Sequence, residues 1–229
     1  MAKLVFDQTG ERRYETGVKN CVLYVYDKAT KGYKPGVAWN GITAITESPS
    51  GAEATALYAD DMKYLNLMSV EEFGATVEAY TYPDEFMECN GEKSLVDGMY
   101  FGQQSRSMFA LAYLTTVGND EAGNDYGVKL HIVYGCQASV SEKAYATIND
   151  SPEAITFSWE VTTTPVPVVI DGVEYKPTSI VTIDSTKFTT EEAKAKFQAL
   201  IGKLYGTDTE EPTLVMPADI YTTLKGEGA

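Results

Sequence analysis

Through the first 167 residues, apolar positions come in short blocks rich in β-branched and aromatic residues, cut by glycine, proline and asparagine. Cys21-Val-Leu-Tyr-Val-Tyr26 and residues 37–46 read as strands on either side of the turn cluster Gly32-Tyr-Lys-Pro-Gly36. Gly41 marks a bulge or a close approach within the second. Residues 75–82 alternate, with Thr76, Glu78, Tyr80 and Tyr82 on one face and Ala75, Val77, Ala79 and Thr81 on the other. Pro83 followed by Asp84 and Glu85, with Asn90-Gly91 as a stop, predicts a short helix over residues 83–89. Residues 103–117 and 128–138 predict a long hairpin with a polar tip at 118–127. A strand over 155–163 ends at Thr164-Pro-Val-Pro167, which cannot continue a central strand.

From residue 168 the pattern changes. A hairpin turns at Asp171-Gly172, and a short strand follows at 179–183. Thr189-Thr-Glu-Glu192 has the spacing of a capping box. Ala193, Phe197, Leu200 or Ile201, and Leu204 then fall on one helical face, with Lys203 in the last turn and Gly206 beyond. This helix, 190–205, needs a partner for Phe197 and Leu204, expected on the outer side of its own or a neighbouring chain. Residues 210–213 and 226–229 read as loose ends. Three parts are expected: an N-terminal arm (1–17), a β domain (18–167) and a C-terminal appendage (168–229) of hairpin plus amphipathic helix.

Length and composition fit this division. A chain of 229 residues with 44% hydrophobic content can bury a sizeable core. No apolar run reaches 18 residues, so no membrane span is expected. Residues 1–7 lack an apolar stretch of signal-peptide length, which predicts a chain kept in the cytoplasm or exported by another route. The formal net charge is −15. The excess sits mainly in residues 18–167, which carry 20 acids against 9 bases. Such a surface disfavours gripping nucleic acid; it repels polyanions or serves solubility. The three cysteines are far apart with no CxxC pair, so buried thiols are expected and a zinc site is not.

The search for chemistry finds little. His131 is the lone histidine, and its apolar strand neighbours suggest a packed residue with one hydrogen bond. Neither HExxH nor GxSxG occurs. The oxygen-rich stretch 118–127 lacks the EF-hand ligand order and reads as a hairpin tip. Asp60 and Asp61, with Glu47 and Glu53 nearby, are the remaining carboxylates. Sequence neighbours point to opposite faces of a strand or into solvent, so they do not make a preorganised acid–base pair. No enzymatic activity, cofactor or metal is expected.

The chain resembles the major tail protein of long-tailed bacteriophages, the tail-tube subunit, of the type found in phages and prophages of Gram-positive bacteria. The resemblance is carried, in one consistent order, by Gly36-Val-Ala-Trp-Asn-Gly41, Ser48-Pro-Ser-Gly-Ala-Glu-Ala-Thr-Ala-Leu-Tyr-Ala-Asp60, Ala75-Thr-Val-Glu-Ala-Tyr-Thr-Tyr-Pro-Asp-Glu-Phe86, Gly118-Asn-Asp120, Tyr126-Gly-Val-Lys-Leu-His131, Asn149-Asp-Ser-Pro152 and Phe157-Ser-Trp159. In the C-terminal part, Lys176-Pro-Thr178, Ile183-Asp-Ser185, Leu204-Tyr-Gly206 and Met216-Pro-Ala-Asp219 are similar.

The resemblance implies a mainly β tail-tube fold: two packed, mostly antiparallel sheets with one short flanking helix, plus a small C-terminal α+β appendage. It implies a virion protein, assembled in the host bacterial cytoplasm, whose hexameric rings stack into the tube that conducts the genome. Its partners would be copies of itself, the tape-measure protein, and the tail terminator and distal tail proteins. DNA would transit the lumen without specific binding. The connection between the second and third core strands, residues 48–69, would reach the adjacent ring. Its contacts would be Ser48, Pro49, Glu53, Leu57, Tyr58, Asp60, Asp61, Lys63, Tyr64 and Leu65. The surplus acid would line the channel. Open alternatives are the tube of a phage-tail-like bacteriocin or another injection apparatus, a carbohydrate-binding β-sandwich suggested by Trp39, Trp159 and 16 tyrosines, and an enzyme using the carboxylates.

Overall fold

The computed structural model describes residues 4–148, 150–151 and 153–226. Asn149 and Pro152 of the Asn149-Asp-Ser-Pro152 stretch, residues 1–3, and residues 227–229 of the C-terminal end lie outside the described residues. The chain is mainly β. Its strands are β1 (Arg13–Asp27), β2 (Gly32–Tyr33), β3 (Val37–Trp39), β4 (Ile42–Glu47), β5 (Ala54–Ala59), β6 (Met62–Met68) and β7 (Gly74–Ala79). After helix α1 (Met87–Asn90) come β8 (Lys93–Val96), β9 (Met99–Phe101), β10 (Phe109–Asn119), β11 (Gly123–Ala138) and β12 (Phe157–Thr163). The chain ends with β13 (Val166–Ile170), β14 (Val173–Thr178), β15 (Ile180–Asp184), α2 (Glu191–Tyr205) and α3 (Pro217–Lys225).

Nine strands form one antiparallel sheet in the order β2-β1-β10-β11-β12-β7-β4, with β3 also on β1 and β15 also on β11. Gly135 divides the edge of β11 between two partners. Residues 129–133 pair with β15, and residues 136–138 pair with β12. Gly135 has φ +61°, and a Cβ there would lie 2.1 Å from the Thr164 carbonyl oxygen, so only glycine fits the switch.

Strand alternation gives the sheet two buried faces. Cys21, Leu23, Val25, Phe109, Leu111, Tyr113 and Val133 share one cluster with Trp39, Val77, Phe86 and Trp159. Val22, Tyr24, Ala110, Ala112, Leu130, Ile132 and Tyr134 share the other with Phe197, Leu200, Leu204, Val215 and Ile220. The central strands are therefore covered on both sides, which is why their sequences run apolar without a break. On the first side, a rim of aromatic rings closes around Phe86: its centroid lies 4.4 Å from Trp39, 5.1 Å from Trp159 and 5.4 Å from Phe109. The expected short helix is present there as a 3₁₀ turn, Asp84–Phe86, running into α1 and stopped by Gly91 at φ +77°.

The C-terminal segment does more than decorate. β15 is hydrogen-bonded to β11 in the central sheet, while α2 and α3 roof its second face. The stripe of α2 packs on its own chain, with Phe197, Leu200 and Leu204 buried. Tyrosine hydroxyls fasten this layer: Tyr24 donates to the Leu204 carbonyl, Tyr134 to the Val215 carbonyl at 2.8 Å, and Tyr205 to the Asn20 carbonyl at 2.9 Å. The N-cap of α2 is Thr190, whose hydroxyl accepts from the Ala193 N–H at 3.2 Å, one residue later than the spacing of Thr189 and Glu192 suggests. At the other end of the chain, β1 begins at Arg13, so residues 13–16, expected in the arm, already pair with β10.

Leu200→Ala should lower the unfolding free energy by about 2–5 kcal/mol in urea titrations, because the side chain is fully buried between α2 and the sheet. A chain ending at residue 167 should expose the second face and fail to give a cooperative unfolding transition. A normal transition in that truncated chain would show that the helical layer is dispensable.

Candidate functional site

Residues 48–69 were expected as a connection; the structure makes most of them a β-hairpin arm. The root is tied by Ser48 N–H to the Gly74 carbonyl at 2.8 Å and by a bridge between Ser50 and Glu72. Gly51, at φ +81°, lets the two chains meet: a Cβ there would stand 2.0 Å from the Val70 carbonyl oxygen. β5 and β6 then pair with each other and with no other strand. Asp60 and Asp61 form the two-residue turn with φ +52° and +60°, the signs a type I′ turn requires. Aspartate tolerates that region because its short side chain can bond locally. The reading as a loop missed the hairpin because Asp-Asp lacks the glycine that usually signals this turn.

All ten candidate residues fall on this arm or its root. Ser48 and Pro49 sit at the root, and the Glu53 N–H donates to Ser69 Oγ at 2.9 Å. Leu57 faces Leu65 across the strands, and Tyr58 faces Lys63 beside a bulge that holds Tyr64. Tyr58 and Tyr64 are each 72% exposed, and Leu57 and Leu65 remain 43% and 41% exposed. Asp60 and Asp61 stand at the tip, with no ion pair among the described residues.

A second arm was missed altogether. β8 and β9 pair only with each other and expose Leu95, Val96, Met99, Tyr100 and Phe101. Asp97-Gly98 is the dipeptide that would have signalled its turn. Two-stranded hairpins without a packing partner are at best marginal in water.

The lone histidine lies where the first arm leaves the body. His131 is buried on β11 and stacked on Tyr113 of β10, centroids 4.9 Å apart and 6° from parallel. Thr115 Oγ1 is 3.0 Å from its Nε2, and Thr182 of β15 is 3.4 Å from its Nδ1. Glu15 of β1 stands 3.6 Å from Nε2, and Glu47, the last residue of β4, stands 3.6 Å from Nδ1. Glu47 also accepts from the Tyr113 hydroxyl at 2.8 Å, and Glu15 accepts from Lys129 and Thr115. The histidine therefore has more partners than the one expected. Burial lowers its pKa, against the opposing pull of Glu47 and Glu15. For Glu15, desolvation raises the pKa, but the hydrogen bonds from Lys129 and Thr115 together hold it below the ordinary carboxylate range.

Elsewhere, the 118–127 stretch spends polar atoms on its own backbone and on the start of the chain: the Asn119 side chain accepts from the Glu121 and Ala122 N–H groups, Asp120 accepts from the Gly10 N–H, and Asn124 accepts from the Tyr14 hydroxyl. Among the described residues, no group of three or more His, Cys, Asp or Glu side chains is placed to hold a metal ion. No helix among them is long and apolar enough to cross a membrane. Cys21, Cys89 and Cys136 are free and buried, and desolvation raises the Cys21 and Cys89 thiols to about 12.

No family model and no curated protein matches this chain. Among solved structures, a chain of the 6-fold symmetrised baseplate of the anti-feeding prophage is similar at 6% identity and TM-score 0.36, covering 82% of this chain and 100% of that one. A chain of the sheath–tube complex of an extracellular contractile injection system in its extended state is similar at 10% identity and TM-score 0.30, covering 72% and 88%. Likenesses this remote carry no argument about what this chain does.

The histidine cluster gives a signed expectation. A histidine with a lowered native pKa binds its proton more readily in the unfolded chain, so stability should fall as pH drops below about 6.5. The Glu15 contribution, from a lowered pKa, should persist there and be lost only below about 4.5. Urea midpoints between pH 7 and 5.5 should fall less steeply in His131→Gln than in the wild type. Parallel profiles would show that His131 does not contribute.

Proposed function

We propose that this chain is a tail-tube subunit of a long-tailed bacteriophage, polymerising as stacked hexameric rings into the conduit for genome delivery. The observation that carries the reading is the pair of unpartnered hairpin arms. β5–β6 and β8–β9 hold tyrosines, leucines and methionines exposed, on strands that pair with no other strand among the described residues. Edges and apolar arms of this kind are aggregation hazards unless a specific partner covers them. A subunit that buries them against further copies gains order for the arms and a filament by the same contacts. The resemblance of residues 48–60 and 75–86 to the tail-tube family supports copies of the chain as those partners.

Within this reading the arm of residues 48–69 reaches the adjacent ring. Leu57, Tyr58, Tyr64 and Leu65 supply affinity, and Asp60, Asp61 and Lys63 set register. Exposed charges of that sort contribute individually only about 0–1 kcal/mol. The net charge of −15 per chain would let a polyanion slide past without the counterion release that a basic wall invites. The tape-measure, tail terminator and distal tail proteins would be the other contacts. A tube from a phage-tail-like bacteriocin or another injection apparatus shares every one of these features and differs in its cargo. The carbohydrate-binding reading loses its two tryptophans and is left with exposed tyrosines such as Tyr58, Tyr64 and Tyr100. Trp39 and Trp159 are 3% and 0% exposed, and their indole N–H groups donate to the Thr81 carbonyl and to Asn90 Oδ1.

Concentrated purified protein should show rings or filaments by negative-stain microscopy, and sedimentation should shift with concentration. Joining Ala52 to Val70 through two glycines, which removes the arm, should abolish stacking while leaving the melting temperature within a few degrees. Tubes that still stack normally without the arm would place the inter-ring contact elsewhere.

A further inference from the structure

On the helical side of the sheet, near the Asp27 end of β1, lies an open groove of 490 Å³. Its walls include Tyr33, Met108, Pro165, Pro167, Leu214 and Met216. Tyr33 and Met216 pack on the second core cluster together with Leu214, whereas Ile45 and Phe73, near the root of the β5–β6 arm, pack on the first. Groove and arm root therefore belong to opposite faces of the central sheet.

Among the described residues, the one charged side chain that lines the groove is a cation, in a protein of net charge −15. Lys31 lines it, and Lys28 is exposed on the same β1–β2 turn. Neither makes an ion pair among the described residues, whereas Lys34 on the same stretch is paired with Glu88 at 2.6 Å. Asp27, the acid of the turn, is occupied by the Ala29 N–H and the Thr30 hydroxyl. The arm offers the reverse combination: an acidic tip, Asp60 and Asp61, on shoulders made by Leu57, Tyr58, Tyr64 and Leu65.

We infer that the groove is the receptor for the β5–β6 arm of a second copy of this chain. The tip carboxylates would meet Lys28 and Lys31, and the apolar shoulders would rest on the tyrosine, proline and methionine walls. The inference rests on the self-assembly reading and adds to it the surface that receives the arm. The contact is heterologous, arm to groove, so each copy keeps one free arm and one free groove, and addition continues.

The test uses the full chain with substitutions on exposed positions. Lys28→Glu with Lys31→Asp should raise the concentration needed for assembly about tenfold or more, because like charges now meet across the contact. Asp60→Lys with Asp61→Gly, which keeps a turn compatible with positive φ, should do the same alone. Combining the two pairs should restore assembly. Thr164→Arg, placing a long charged side chain at the groove, should prevent stacking. Mixed with the chain whose arm has been removed, it should recover association, since the mixture holds one intact arm and one intact groove. Normal assembly by the groove variants, or a mixture that does not associate, would overturn the arm–groove contact while leaving a polymerising wild type intact. A wild-type chain that stays monomeric at every concentration would overturn the self-assembly reading and this inference with it.

Discussion

The middle of the sheet, residues 21–25 of β1, 109–114 of β10 and 130–136 of β11, is buried on both faces, and that constraint organises everything around it. A sheet covered on one side needs only one partner layer; this one needs two. The first is supplied by the sheet itself, which continues through β12, β7 and β4 so that Val77, Val161 and Trp159 lie over Leu23 and Leu111. The second must come from elsewhere, and it comes from the last third of the chain. Ala110 and Ala112 keep that face shallow enough for helices, while Tyr24 and Tyr134 stand up from it. A buried tyrosine hydroxyl needs a partner. Tyr24 finds one in the Leu204 carbonyl, among the last carbonyls of α2, which lack a bond within the helix. One contact thus satisfies a group on each side of the layer boundary.

The same constraint explains what could be read from the sequence. The strands of the body were legible because burial on one or both faces leaves a period-two or continuous apolar pattern, as in residues 75–79 and 109–114. The α2 stripe was legible for the equivalent helical reason. Its destination was not, because a stripe specifies that a helix packs but not on what; the residues that receive it are distant in the chain, with Tyr24 lying 180 positions before Leu204. Helix α3 was missed because Met216-Pro217 looks like a break, although proline at the first helical position is a start.

The arms were illegible for a different reason. Among the described residues no other strand pairs with them and their apolar side chains stay exposed, so those residues follow no core periodicity. The candidate residues on 48–69 came from resemblance, and their geometry as a paired hairpin with a positive-φ Asp-Asp turn came from the structure. The histidine cluster shows the converse. His131 was noticed as a lone residue, but its carboxylate neighbours Glu15 and Glu47 lie on β1 and β4, 116 and 84 positions away, and only the curl of the sheet brings them together.

On the proposed assembly, an arm that is apolar and exposed must not bring copies together indiscriminately. Charge provides part of the answer: at −15, identical chains repel on close approach, over a range that screening limits to roughly 8 Å at physiological ionic strength. A basic turn is then the one kind of surface patch that an acidic arm tip can approach with attraction rather than repulsion. Placing that turn beside an apolar groove confines the attraction to a single orientation. On the proposed assembly, repulsion everywhere else would keep copies apart until that orientation is met, so a strongly acidic chain could carry apolar arms and still assemble in one register.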